Sequence, residues 1–377
     1  MNFTDQVNEI MSTVFNVVFI IIMFISIYYN TKIQGWKSSR AIKAVLEELK
    51  ELNEDTKQLT ITKFKECCNE SRSVQEIKSK VDEFLNFVTI TPVKLDPYGI
   101  VSKIEHILNS RESIYLSEVR DLTKIDDEIQ IENLVNLLEV ASAVNLVHRL
   151  LLHFFLLGKK SKSAVFLQQV EMQLHSLLIM AKAYVSASKS FAEGSPIGDA
   201  LGPMVVAKLV REMTQGNIPD YEEISDKTIM QKVSFEDRTL YFIRAKGPGG
   251  TVGKPGTAIK KVIELHSDEI VRIITIDAGI KYEGDITGSV VAGVGAAIGG
   301  FGVEKSKIED VSTKNQIPMD ALICRQSLED AICTMKKPIL DSVPTIMEKT
   351  KSLIRRKTKE NQSVIIAGIG NSIGIGI

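Results

Sequence analysis

Two aspartates stand where chain geometry favours a functional site. Asp199 lies in the turn Ser195-Pro-Ile-Gly-Asp-Ala-Leu-Gly-Pro203, just ahead of a stretch with amphipathic helical spacing. Asp277 closes Ile273-Ile-Thr-Ile-Asp277, an apolar, β-branched run that reads as a buried parallel strand. In open α/β sheets, ligands collect outside the carboxyl ends of strands and at the helix N-termini that follow them. Converging carboxylates can split their pKa values into an acid and a base and so activate a water. They can equally bind a divalent metal or orient a polar ligand. Each also has a plain structural role open to it. Asp199 can cap the helix that Pro203 starts, and Asp277 can accept hydrogen bonds from the next loop. They are 78 positions apart, so spacing does not choose.

A second candidate is the loop Lys246-Gly-Pro-Gly-Gly-Thr-Val-Gly-Lys-Pro-Gly256, which follows a strand and opens a helix. Lys246, Gly249, Gly250, Gly253 and Lys254 are its candidate ligand-binding residues. Such a loop can aim backbone N–H groups at an anion, helped by the helix dipole and the two lysines. It is not a Walker A loop, because Pro248 takes the first glycine position and Pro255 follows the lysine. Nor is it Gly-x-Gly-x-x-Gly, since Val252 occupies the last position. The structural alternative is a conformationally demanding turn. Two further segments, Gly293–Gly302 and Ile366–Gly374, pose the same choice between ligand approach and close packing.

His148 and His153 are five apart and share no helix face, and with His175 they read as core or surface residues. Cys67 and Cys68 are adjacent, while Cys324 and Cys333 flank a strand-to-helix junction. Neither pair has zinc spacing, so four free thiols in a reducing compartment are expected. No metal site is expected, and the sequence specifies no cofactor. With 46 basic and 47 acidic residues, the chain lacks the basic excess of a nucleic-acid binder.

Several elements must hold these residues in place. The chain has 377 residues, enough for more than one core. From Ile10 to Tyr29 there is no charge, and twenty residues at about 1.5 Å rise span the hydrocarbon core. Lys32, Lys37, Arg40 and Lys43 follow this span and no cation precedes it, so the remainder is expected in the cytoplasm. Tyr28, Tyr29 and Trp36 suit the interfacial belt. The expected organisation is a transmembrane anchor (1–35), a helical region (36–190) and an α/β domain (195–377).

In the helical region, Ile42, Val45, Leu46, Leu49 and Leu52 form a stripe over 39–60 that suits a short coiled coil. Helices are expected at 74–90 and 99–109, separated by Leu95-Asp96-Pro97-Tyr98-Gly99, then at 127–157 and 161–189 as a buried hairpin. His148, Arg149 and His153 interrupt the apolar run there and argue against a second span. In the last region, strands are expected near 239–245, 271–277, 319–324 and 363–367. They alternate with helices at 203–214, 256–267 and 326–357, the last with Pro338 and Pro344 as candidate breaks, which indicates a mainly parallel sheet.

The motif order resembles that of the spore germination proteases and their sporulation relatives. Asp199-Ala-Leu-Gly-Pro-Met-Val-Val206 is similar to their helix start. Pro248-Gly249 with Thr251-Val-Gly253, Ile276-Asp277-Ala278, Gly300-Phe-Gly302 and Ile317-Pro318 follow in the same order. The likeness covers about 195–332 and implies the α/β fold shared with hydrogenase maturation proteases. It also implies that Asp199 and Asp277 are the catalytic pair. It does not extend to a nickel site, since Ala200 follows Asp199 and His266 is the domain's one histidine. Those proteases place a Gly-x-Gly-Asn strand directly before the aspartate turn. Here the similar segment, Val364-Ile-Ile-Ala-Gly-Ile-Gly-Asn371, comes last, so a circularly permuted domain is expected. The overall plan resembles an archaeal family of membrane-anchored proteins with no assigned activity. The expected function is therefore a membrane-anchored cytoplasmic protein with a hydrolase-like, peptidase-like domain. The alternative is a non-catalytic binding or scaffold protein at the membrane. A homo-oligomer or protein partner suits either reading.

Overall fold

The computed structural model describes residues 3–68, 72–90, 92, 99–266, 269–300 and 302–376, with backbone alone for 3–13. The Leu95–Tyr98 part of the expected turn, the side chains of Ile10–Thr13, and Phe301 lie outside the described residues. The chain forms two compact units, one of residues 1–54 and 144–181, the other of 55–143 and 182–377. Among the described residues, five helices precede the α/β domain: α1 (Phe3–Cys67), α2 (Val74–Leu85), α3 (Ile100–Thr123), α4 (Glu128–Ser161) and α5 (Ala164–Glu193).

In the first unit, every described α1 residue from Val14 to Gln34 is exposed. Burial then begins at Gly35 and recurs at Ser38, Ile42, Leu46 and Leu49, one face of a helix. That face packs on Leu151, Phe155, Leu167, Val170 and Leu174 of the α4–α5 hairpin. The stripe expected to form a coiled coil is thus covered by this chain's own hairpin. By length and composition, both Val14–Cys67 and Glu128–Ser161 contain a stretch able to cross a membrane, the first wholly exposed and the second 28 % buried. Helix α4 buries Leu151 and Phe155 but exposes Leu150, Leu152, Phe154, Leu156 and Leu157. The expected burial of the hairpin therefore holds for one face only.

In the second unit, α2, α3 and the first half of α4 share a core of Ile77, Val81, Phe84, Tyr115, Val119, Ile131 and Leu138. Helix α3 runs well past the 109 expected, because Leu116, Val119 and Leu122 continue its apolar face into this core. The rest is an α/β domain. A 3-10 turn (Gly198–Ala200) leads into α6 (Leu201–Met213), followed by β1 (Glu222–Ser225), β2 (Thr228–Phe235), β3 (Arg238–Ala245), α7 (Pro255–Leu265), β4 (Ile270–Ile280) and β5 (Val290–Val294). Then come α8 (Val303–Lys314), β6 (Met319–Gln326), α9 (Leu328–Ile332), α10 (Lys337–Lys357) and β7 (Ser363–Gly368).

The sheet order is β1-β2-β3-β7-β4-β6-β5. Strands β3, β7, β4 and β6 are parallel, while the edge pairings β1–β2, β2–β3 and β5–β6 are antiparallel. The sheet is mixed rather than mainly parallel. Alternation along the strands assigns the faces. Ile274, Ile276, Val364 and Ile366 pack with α6 and α10, whereas Ile273, Ile365 and Ala367 pack with α7 and α8. The edge strands carry weak local signals. The β2–β3 hairpin turns through Glu236 and Asp237 at φ 49° and 58°, positions that usually announce themselves as Asn-Gly. Of the two candidate breaks in the expected helix 326–357, the one at Pro338 forms, separating α9 from α10 at Cys333–Lys336, whereas Pro344 is carried inside α10.

Strand β7 lies between β3 and β4, at the centre of the sheet. Helix α6 closes on this centre through two glycines. A Cβ on Gly202 would stand 2.1 Å from the Ile369 carbonyl oxygen, and one on Gly368 would stand 2.3 Å from that of Gly202. Gly202→Ala should therefore lower the denaturant midpoint, at a cost of about 1–3 kcal/mol. Gly284→Ala, with nothing within 4 Å of its added methyl, should leave the midpoint unchanged. Equal midpoints for the two variants would contradict this packing.

Candidate two-aspartate site

Register fixes Asp277. The β4–β7 ladder ends at Ile276–Gly368, while β4 continues against β6 as far as Ile280. Asp277 is thus the first β4 residue beyond the end of β7, inside its own strand yet free on one side. Its Oδ1 accepts from the N–H of Ala278 at 2.7 Å, and the N–H of Gly299 also donates to the carboxylate. The glycine-rich segment 295–300 is drawn to β4, where Thr275 Oγ1 accepts from Ala297 at 3.1 Å.

Asp199 arrives from the other side, in the turn before α6. Its side chain caps neither that turn nor the helix. Oδ2 instead accepts from the N–H of Asn371, 2.8 Å away in the loop after β7. That loop needs glycine at 370, where φ is +124° and a Cβ would lie 2.0 Å from the Asp199 carbonyl oxygen. Gln326, buried at the end of β6, supports the turn by donating Nε2 to the Gly198 carbonyl at 3.2 Å.

Both aspartates line one cavity of about 740 Å³. Burial raises the Asp199 pKa, with the Asn371 N–H opposing. Asp277 is 5 % exposed, and burial together with the charge of Asp199 pushes it well above the usual carboxylate range. The pair therefore favours retaining a proton.

The rest of the wall is acidic. Glu105, Glu112, Glu132, Glu139, Asp226 and Glu304 line it, against the three cations Arg111, Lys227 and Lys254. Each cation is paired: Arg111 with Glu139 at 2.8 Å, Lys227 with Glu112 at 3.0 Å, Lys254 with Asp226 at 3.3 Å. Burial raises the Glu132 pKa even though Lys227 lies 3.4 Å from its carboxylate.

The structure divides the expected ligand loop. Gly250, Gly253 and Lys254 line the cavity, whereas Lys246 pairs with Glu223 at 2.7 Å outside the lining and Gly249 abuts the Glu132 carboxylate. Several of its N–H groups are engaged inside the protein. Gly250 donates to Asn133 Oδ1 at 2.9 Å, Thr251 to the Gly249 carbonyl at 3.0 Å, and Lys254 to Thr228 Oγ1 at 2.6 Å. The α7 N-terminus is occupied as well, Thr257 N–H donating to Glu304 at 2.8 Å. The glycines serve close approach, and Gly253 also adopts φ +58°. Glu132, Asn133 and Asn136, which hold this loop, escape sequence reasoning. Their one local signal is a polar cluster on an otherwise apolar helix. Among the described residues, no group of three or more His, Cys, Asp or Glu is placed to hold a metal ion.

Residues 16–194 match the family model described as the N-terminal domain of a protein of unknown function, DUF1512, and 197–376 match its C-terminal counterpart. The chain belongs to the DUF1512 family. No curated protein matches it. The seam between the two DUF1512 models falls just before Asp199, and the N–H groups of Ala278, Gly299 and Asn371 that hold the two carboxylates lie in the C-terminal one.

The sign of the pH effect follows from the raised carboxyl. The native state keeps a proton on Asp277 that the unfolded chain releases, so this residue lowers stability as pH rises from about 4. Asp277→Asn should melt above the parent protein near neutral pH and level with it near pH 3, where both side chains are neutral. A variant that is less stable at every pH would mean that the ionised form is the one the fold prefers.

Proposed function

We propose that the C-terminal domain is a hydrolase in which Asp199 and Asp277 work as an acid–base pair on a water molecule. The observation that carries this reading is the shared cavity, with each carboxylate fixed by backbone N–H groups and the charge of Asp199 raising Asp277. A pair that shares one proton supplies both functions. The ionised member removes a proton from water, and the protonated member polarises the carbonyl under attack and then protonates the leaving group. The paired cations leave no free positive charge in the wall for an anionic substrate, so a neutral, amide-like bond fits best.

The motif order shared with the germination proteases supports a peptidase-like reaction. So does the place of Gly368-Ile-Gly-Asn371, which contacts Asp199 from beside β4, as the permuted correspondence asks. This support is fold analogy and does not assign a substrate. We further propose that α1 is a single-pass anchor of an archaeal membrane protein, with everything after Lys32 in the cytoplasm.

One observation favours the alternative, a non-catalytic binding or scaffold protein. Asp277 is 5 % exposed, and α3 and α4 wall the cavity on one side. Peptide-library turnover by the full chain in detergent separates the two. Asp199→Asn and Asp277→Asn should each reduce turnover by at least about 10³-fold while leaving the circular dichroism unchanged. Turnover that survives both substitutions would overturn the two-aspartate mechanism, and no turnover by the parent protein on any library would favour the binding reading.

A further inference from the structure

The first unit brings together two segments, far apart in sequence, that share a charge pattern. Residues 30–44 contain Lys32, Lys37, Arg40 and Lys43 and no carboxylate. Residues 150–170 contain Lys159, Lys160 and Lys162, again with no carboxylate. The fold sets the second beside the first. Gly35 is buried so closely against Ala164 that a Cβ there would lie 2.8 Å from the alanine methyl. On either side of that contact, Gln168 bonds to Gln34, and Ser38 donates to Glu171 at 2.6 Å. The tip of the α4–α5 hairpin therefore ends level with Gly35, the residue at which α1 passes from fully exposed to packed.

That level matters. Gly35 is three residues beyond Lys32, about 5 Å along the helix, and the apolar run stops at Tyr29. Lys159 and Lys160, in the last turn of α4, and Lys162, in the turn that joins α4 to α5, are all exposed. Beside them Leu157 and Val165 are 42 % and 58 % exposed. Nearby, Trp36 is 64 % exposed, with Arg40 over its ring at 5.9 Å. A basic, partly apolar collar thus surrounds the helix where it leaves its apolar span. Basic clusters at this position are drawn to the negative surface of anionic lipid leaflets.

We propose that the hairpin tip and the α1 juxtamembrane cations form one binding surface for anionic phospholipid headgroups, seating the first unit flat on the bilayer. The inference rests on reading the first apolar stretch of α1 as membrane-embedded. It is independent of any activity at the two aspartates.

Trp36 is the only tryptophan in the chain and lies inside the collar, so it serves as an energy-transfer donor without labelling. The full chain is reconstituted into phosphatidylcholine vesicles carrying a small fraction of dansyl-phosphatidylglycerol or of dansyl-phosphatidylcholine. Transfer to the anionic probe should exceed transfer to the zwitterionic one by about twofold at low salt and lose that excess at high salt. K159E/K160E/K162E should abolish the excess and keep the zwitterionic signal. The milder K159Q/K160Q/K162Q should reduce the excess, and it decides the matter if the charge-reversed protein does not fold. Equal transfer to both probes in the parent protein overturns the collar and leaves the anchor standing. Transfer to neither removes the anchor and the collar together. Loss of the excess on adding a short oligonucleotide at equimolar concentration would assign these cations to nucleic acid and overturn the proposal.

Discussion

The parallel pairing of β7 with β4 is the constraint on which the site depends. It seats the last strand of the chain at the centre of the sheet and stops one residue short of Asp277. The chain then leaves the ladder through Ile369 and Gly370 and presents the Asn371 N–H to Asp199. One ladder therefore determines where Asp277 becomes free and what holds Asp199. The close contact of Gly202 with Ile369 and Gly368 brings the α6 N-terminus onto the same strand end. Small residues are needed there because backbone meets backbone, with no room for a Cβ.

Burial gives the two carboxylates their character. An isolated ionised aspartate in such a place is costly, and backbone N–H groups offset only part of the cost. With two of them in one cavity, a proton becomes the cheapest neutralising charge. The surrounding cations do not relieve the pair, because Arg111, Lys227 and Lys254 are each engaged by glutamates or an aspartate of the outer wall. Helices α3 and α4 thus shape the cavity and tie up its positive charge, and Asn133 and Asn136 fasten α4 to the glycine loop. The loop is a docking surface for a helix, and the N–H groups of Gly250, Thr251, Gly253 and Lys254 are engaged within the protein.

Much of this was legible in the sequence, and the failures have physical causes. Four central strands and the helices beginning near 201 and 255 follow from β-branched runs, helical spacing and proline positions. β1 and β2 carry no turn glycine, because Lys227, Glu236 and Asp237 themselves take left-handed conformations. β5 lies in a glycine-rich segment whose strand geometry comes from pairing with β6. α8, with few apolar residues, is held by Ile308 and Val311 against α7 and the sheet. In each case tertiary contact overrode a weak or contrary local preference.

By itself, the sequence determined the apolar stretch of α1, the charge pattern after it, the helical-then-α/β order, and the placing of Asp199 and Asp277 at element ends. These properties depend on residues near one another in the chain, where periodicity and composition act directly. Only the tertiary structure decided that the two aspartates share a cavity, that the glycine loop is closed by α4, and that the hairpin tip meets α1 at Gly35. Each of these joins residues more than 70 positions apart, and their distance is set by sheet order and helix packing, which no local preference encodes.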